Sequence, residues 1–456
     1  MNSKSKIILG LLFLVNINVL ISQNSHQLVE KFDKLIENAA DEKLFSGSVM
    51  VTYNGEAIYS KSVGLKNIEN NQLNSIDTKF NVGSMNKMHT AVSILQLVQN
   101  GKLKLDDKLV DILTDYPNKE GIAKVTIHHL LTHTSGFGNY LRKTMRAPKD
   151  KYQEVNDYLP LITPEELEFE PGEKFSYSNS GFMLLGAVIE EISELSYFDY
   201  VQQNIFDKAG MKNSGFDLYL NTKLENLATN YTKMRSGGKS LDVYIKGGKG
   251  GPAGGGYSTV EDWLKFGQAL ESFKLLDEKH VKLLTEGKVA ARGNKYAYGF
   301  FEENLLGISA IGHGGGGPGI NGEFEIYKGT GFSIAVLSNL DPPAASIIKD
   351  GFRALLLNQK NLLPKPSEIG STRFELEGYD NATVVSVVGD FNKNNPYNPF
   401  ITIMKREKGK WVCNVDLKPG EYSYRFSVDG QMFPDPANEA IKKRGMRTIV
   451  SILKVD

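Results

Sequence analysis

The stretch Asn81-Val82-Gly83-Ser84-Met85-Asn86-Lys87 decides how the rest of the chain is read. Beyond it, Met88, Val92, Leu95 and Val98 recur at three- and four-residue steps, the spacing of an amphipathic helix that Gly101 would close. Ser84 therefore sits at a helix start. Its ordinary use there is to cap free backbone N–H groups. Its chemical use depends on Lys87, which lies about one turn further on and can share a face with the Ser84 hydroxyl, as base or as fixed charge. Ser-x-x-Lys by itself recurs by chance, so other stretches must support it.

Two do. Phe175-Ser176-Tyr177-Ser178-Asn179-Ser180-Gly181 leads into an apolar helix carrying Leu185, Val188, Ile189 and Ile192. If Tyr177 to Asn179 is extended, the phenol and the carboxamide share one wall; the competing reading is a helix entry capped by Asn179 or Ser180. Further on, Ile308 to Ile311 reads as a strand followed by a wide, glycine-rich turn, His313-Gly314-Gly315-Gly316-Gly317-Pro318-Gly319, where a ligand or another backbone can approach closely.

The remaining chain supplies a frame. Leu28 to Ala40 reads as a helix, and Gly47 to Tyr53 and Ala57 to Val63 flank Asn54-Gly55 as a hairpin. Gly322 to Lys328 and Phe332 to Asn339 form a second hairpin around Gly329-Thr330-Gly331. His129 and His133 are four residues apart, but no Glu lies between them in the zincin pattern, and they read as structural. Gly247 to Gly256 lacks the Gly-Lys-Ser/Thr ending of a phosphate loop and reads as a flexible or closely packed loop before a helix from Thr259 to Leu270.

Composition narrows the function classes. Lys plus Arg and Asp plus Glu each total 53, so nothing in the charge balance points to nucleic acid or an anionic membrane. With 41% hydrophobic residues the chain can bury a large core, and its length implies two domains. Cys413 is the only cysteine, which removes an intrachain disulfide framework and disfavours a thiol mechanism. Lys4 and Lys6 precede the apolar run Ile7 to Ile21, which is short for a membrane span and reads as a secretory signal over residues 1–22. The expected localisation is thus exported, periplasmic or secreted, with no transmembrane anchor.

Taken together, Ser84-x-x-Lys87, Tyr177-x-Asn179 and His313-Gly314-Gly315, in this order and with these separations, resemble the serine β-lactamase-like superfamily. The match is to the branch of class C β-lactamases, D-alanyl-D-alanine carboxypeptidases, D-aminopeptidases and esterases. Leu131-Thr132-His133-Thr134-Ser135-Gly136 and Asn100-Gly101-Lys102-Leu103 support it, and the resemblance covers roughly Leu28 to Leu357. It implies an α+β fold, an antiparallel sheet flanked by helices with a helical subdomain inserted. It also implies acyl transfer without a cofactor or metal. Ser84 would be the nucleophile, and Lys87 and Tyr177 would manage its proton. Asn179 would orient substrate or Lys87, and His313, Gly314, Gly315 and Gly316 would bind substrate, the amides of Ser84 and Gly316 forming an oxyanion hole. His313 stands where many β-lactamases carry a lysine. The expected substrates are therefore esters or D-type peptide and amide bonds, with β-lactamase activity weak or absent. The alternatives are a β-lactamase or a non-catalytic binder of cell-wall peptide or glycan.

After residue 360 the composition shifts. Residues 361–373 read as a linker, and 374–456 as short strands with turns at Pro419-Gly420 and Asp429-Gly430. Val387-Val388-Gly389-Asp390-Phe391-Asn392, Gly409-Lys410-Trp411 and Asp435-Pro436-Ala437-Asn438 resemble the immunoglobulin-like early-set domains of glycogen-binding proteins. Lys393-Asn394-Asn395 and Gln431-Met432-Phe433 stand where sugar-binding members place tryptophans, so the expectation is a module that contacts the catalytic domain or a partner rather than a glycan. The hydrolase domain is expected over 25–360.

Overall fold

The computed structural model describes residues 28–141, 151–164, 166–217, 224–234, 240–243, 249–305, 307–357, 372–380, 382, 385–392, 404–415, 417–428, 431–444 and 448–455. The apolar run Ile7 to Ile21 and most of the expected linker lie outside them; Thr372 and Arg373 already belong to a strand. No helix among the described residues is long and apolar enough to cross a membrane.

An antiparallel sheet of eight strands organises the first domain. It runs Glu56–Val63, Gly47–Tyr53, Phe332–Ser338, Ile320–Tyr327, Ile308–Gly317, Phe301–Leu305, Asn294–Tyr296 and Val289–Ala291. The first hairpin turns on Asn54 and Gly55 with φ of 51° and 81°, the left-handed pair that this two-residue turn needs. It is joined edge to edge to Phe332–Ser338, so the two ends of the domain close one sheet. One face packs on a helix over residues 28–41 and on the Ala344–Leu356 helix, through Phe32, Leu35, Ile36, Val49, Val336, Ile348 and Phe352. The other face carries the larger core, with Phe324, Ile326 and Leu337 against Trp263 and Phe266 of the Val260–Glu271 helix. Fully burying one such side chain contributes about 1.5–3 kcal/mol. The helical region between residues 86 and 285 lies on this second core.

Two readings change. The Asn86–Gln99 helix, expected to be amphipathic, is buried from Asn86 to Leu97 because it runs through the middle of the helical layer. The glycine stretch after His313 is not a wide turn. The Ile308–Gly317 strand continues through it, pairing Gly314 with Glu323 and Gly316 with Asn321, and the turn comes only at Pro318-Gly319. Glycine is used there because the strand lies against other backbone. A Cβ on Gly315 would stand 2.1 Å from Val82 O, and one on Gly316 3.1 Å from Pro342 Cγ.

The C-terminal part is a separate all-β unit. One sheet holds Thr372–Glu377, Lys410–Val415 and Lys405–Glu407; the other runs Val385–Gly389, Gly420–Val428, Thr448–Val455 and Ile441–Arg444, with Gln431–Phe433 paired to Gly420–Val428. Phe374, Val387, Trp411, Cys413 and Phe426 fill its core. Trp411 donates its indole N–H to Tyr379 O at 3.2 Å, as a buried tryptophan should. Burial pushes the Cys413 thiol up to about 12, so it stays a thiol.

Candidate active site

Ser84 lies in a single 3-10 turn, Gly83–Met85, directly ahead of the Asn86–Gln99 helix. No side chain caps that helix, so the Ser84 hydroxyl is not consumed as a cap and faces a cavity of about 710 Å³. The turn is held from three sides. Asn81 Oδ1 accepts the Gly83 N–H at 2.9 Å, Gly83 O accepts the Gly255 N–H at 2.9 Å, and the glycine strand lies across the top. A Cβ on Gly83 would be 3.1 Å from Gly316 N, and one on Gly315 would be 3.1 Å from Ser84 N. The Ser84 and Gly316 amides therefore flank one contact beside the nucleophile position.

Lys87 stands behind Ser84, fully buried. Its Nζ donates to Asn179 Oδ1 at 2.7 Å and to Ala253 O, and lies 3.4 Å from Ser84 Oγ. Both carbonyls can only accept, so they fix two N–H bonds of the amine. Ser84 Oγ lies within hydrogen-bond reach of the same nitrogen. Asn179, expected to orient substrate or Lys87, is buried with both ends engaged: its Nδ2 donates to Asn139 Oδ1 at 3.2 Å. Its place is to hold Lys87.

Tyr177 forms the opposite wall. Ser178 caps the Asn179–Ser193 helix by accepting the Gly181 N–H, which leaves Tyr177 on the extended entry with its ring on the cavity. The Lys87 ammonium lies 4.8 Å from the ring centroid and the Arg292 guanidinium 5.2 Å. Burial pushes the phenol up to about 12, against a hydrogen bond with Ser84 and the positive charge of Arg292 that both pull it down. At neutral pH Tyr177 is therefore a phenol, not a phenolate.

His313 also lines the cavity. Its Nδ1 lies 2.6 Å from Gly314 O, an acceptor, so the proton sits on Nδ1 and Nε2 carries a lone pair. Among the described residues Nε2 has no hydrogen-bond partner. Burial, then the charge of Lys87, pushes His313 down to about 3, so it remains neutral at every ordinary pH.

A further cation at this site comes from a residue the sequence reading passed over. Arg292 and Gly293, with φ of 52° and 91°, turn the hairpin between Val289–Ala291 and Asn294–Tyr296. Arg292 lines the cavity with Ser84, Tyr177 and His313, and no acid pairs with it among the described residues. Ala253 was missed as well: the Gly-rich loop proves closely packed on the Ser84 turn, and it contributes a main-chain carbonyl that no side-chain motif reveals. His129 and His133 do not converge. His129 Nδ1 receives the Thr126 N–H, closing a cap on the Ile127–Leu131 helix, whereas His133 turns toward Ser178 and Tyr296.

Comparison with known proteins agrees with this geometry. The family model described as Beta-lactamase matches residues 32–359. The chain belongs to the beta-lactamase family. A second model, the glycogen recognition site of AMP-activated protein kinase, matches residues 371–456. Within the beta-lactamase family, the chain is 32% identical over 286 residues to the putative penicillin-binding protein PbpX of Bacillus subtilis (strain 168), covering 61% of this chain and 68% of that one. A penicillin binding protein from Bacillus halodurans superimposes with a TM-score of 0.63 at 31% identity, covering 70% of this chain and 98% of that one. The fold is shared with the D-amino acid amidase from Ochrobactrum anthropi SV3, at 22% identity and a TM-score of 0.61, over 72% of this chain and 96% of the amidase.

Proposed function

We propose that the protein is an exported serine hydrolase that works through an acyl-enzyme on ester or D-type amide bonds. The observation that carries this reading is the placement of Ser84 Oγ between Lys87 Nζ at 3.4 Å and the Tyr177 phenol. The ammonium that charges the site at rest must first release a proton to solvent; Lys87 then acts as the base for the Ser84 hydroxyl 3.4 Å away. Ser84 Oγ attacks the substrate carbonyl carbon while its proton passes to Lys87. The oxygen that gains charge rests against the Ser84 and Gly316 amides, a contribution of about a hundredfold or more in rate. Tyr177, a neutral phenol, hands its proton to the leaving oxygen or nitrogen. Water then enters by the reverse route and releases the acid.

The walls suggest which substrates fit. Arg292 offers a positive charge at the cavity edge with no acidic partner among the described residues, suited to a carboxylate on the substrate. His313 offers a neutral acceptor where a lysine would grip the carboxylate of a β-lactam, and two lone pairs facing each other repel. β-Lactam turnover is accordingly a weak reaction in this reading. The C-terminal domain is assigned a contact role rather than glycan binding. Export rests on the apolar run after Lys4 and Lys6.

The test is a fluorescent acylating probe on purified protein, followed by p-nitrophenyl esters, D-amino-acid amides and nitrocefin. The wild type should be labelled and Ser84→Ala should not. Binding of cell-wall peptide with no labelling in either would establish a non-catalytic protein instead.

A further inference from the structure

His133 belongs to the Leu-Thr-His-Thr-Ser-Gly stretch, which the chemistry above does not use, and it is completely buried. Its backbone is left-handed, with φ of 58°, uncommon for a residue other than glycine and kept only where the surroundings enforce it. Two of its polar groups, the carbonyl and Nδ1, engage the segment that carries Tyr177. The carbonyl accepts the Ser176 N–H at 2.8 Å, and Nδ1 accepts the Ser178 N–H at 3.1 Å. These amides stand on either side of Tyr177 in sequence. The ring itself lies 4.3 Å from the Tyr177 ring centroid, tilted by 37°. Because Nδ1 must accept, the ring proton sits on Nε2, which faces the Tyr296 hydroxyl at 3.1 Å.

We propose that His133 is a positioning residue for the reaction: through Nδ1 and its ring face it sets where the Tyr177 phenol stands over Ser84, and Tyr296 accepts the Nε2 proton of the tautomer that makes this possible. The contacts are specific enough to leave little freedom. Ser178 is both the amide that His133 holds and the cap of the helix that starts at Asn179, so the same bond also locates the carboxamide on Lys87. Burial, with the charge of Lys87 next in size, keeps His133 well below its usual pKa, so the acceptor persists across the working pH range. A shift of about 1 Å in a catalytic group lowers a rate by on the order of a hundredfold, so a histidine that never touches substrate can still govern turnover.

The inference rests on the serine-hydrolase reading and is tested by a double-mutant cycle on p-nitrophenyl acetate hydrolysis. His133→Gln keeps a donor toward Tyr296 but removes the acceptor for Ser178. It should lower kcat by about ten- to a hundredfold with KM changed less than about threefold. In a Tyr177→Phe background the same change should cost less than about threefold, since the group being positioned is gone. Tyr296→Phe, a smaller change that keeps the ring packing, should show the same dependence on Tyr177 at several-fold, and it serves alone if His133→Gln does not fold. Equal losses with and without Tyr177 in a folded variant overturn the inference while leaving the hydrolase reading intact. Absence of Ser84 labelling in the wild type removes the hydrolase reading itself.

Discussion

Replacing Arg292 with alanine should separate substrates by charge. The guanidinium lines the cavity with Ser84, stands 5.2 Å from the Tyr177 ring centroid, and has no acidic partner among the described residues. A charge-assisted hydrogen bond contributes about 1.5–3 kcal/mol, and Arg292 lies on an exposed hairpin turn, where solvent screening favours the lower end. A loss near 1.4 kcal/mol is about tenfold in kcat/KM. The assay compares an N-acylated D-alanyl-D-alanine peptide with its C-terminal carboxamide, which differ only in the carboxylate. Arg292 also pulls the Tyr177 phenol down, so both rates will shift together by some factor, and the ratio of the two removes it. The ratio should fall about tenfold in Arg292→Ala at low salt, and less as ionic strength rises past about 0.15 M. An unchanged ratio would refute the assignment of Arg292 to a substrate carboxylate and leave its charge acting on Tyr177 alone.

Lys87→Ala and Tyr177→Phe should each lower esterase turnover strongly, and the double variant should be hardly worse than either, because removing the Ser84 proton and protonating the leaving group serve one acyl transfer; additive losses in kcat would show separate roles. The ratio of nitrocefin to ester acylation should stay flat from pH 8 to pH 6, since His313 is held down at about 3 and does not charge in that interval. Stability should fall on acidification: His89 and His313 are both depressed to about 3, so between about 6.5 and 3 the unfolded chain takes up protons that the folded chain refuses. Each costs about 2 kcal/mol at pH 5, and His89→Gln should recover about that much of the drop in urea unfolding free energy between pH 7.5 and pH 5. Gly315→Ala should abolish probe labelling and lower stability by about 1–3 kcal/mol, as read by thermal unfolding, because the new methyl would meet Val82 O at 2.1 Å.

Much of this was legible in the chain because it is written in side chains. Asn54-Gly55 announced its hairpin, and the Ser84, Tyr177 and His313 stretches announced a shared site, which the structure assembles around one cavity. What escaped was written in backbone or in tertiary context. Ala253 acts through a carbonyl, which every residue possesses. Arg292 comes from a hairpin more than a hundred residues from Tyr177, and only the sheet order brings them together. The glycines after His313 were read as a turn because glycine weakens a lone strand; here the Ile320–Tyr327 strand supplies the pairing and the Ser84 turn requires the missing side chains. Asn179 was expected to orient substrate or Lys87, and its Oδ1 receives Lys87; nothing in its spacing says that Asn139 takes the other end of the amide.

The meeting of Gly83, Gly254 and Gly315 has a consequence for how this protein can diversify. A Cβ on Gly254 would come 2.8 Å from Gly83 O, just as one on Gly315 would meet Val82 O. Three main chains thus touch beside the nucleophile with no side chain between them. Substitution there disrupts the site before it can retune it. Room for side-chain change lies at the margin, on the Arg292 hairpin and around Asn294.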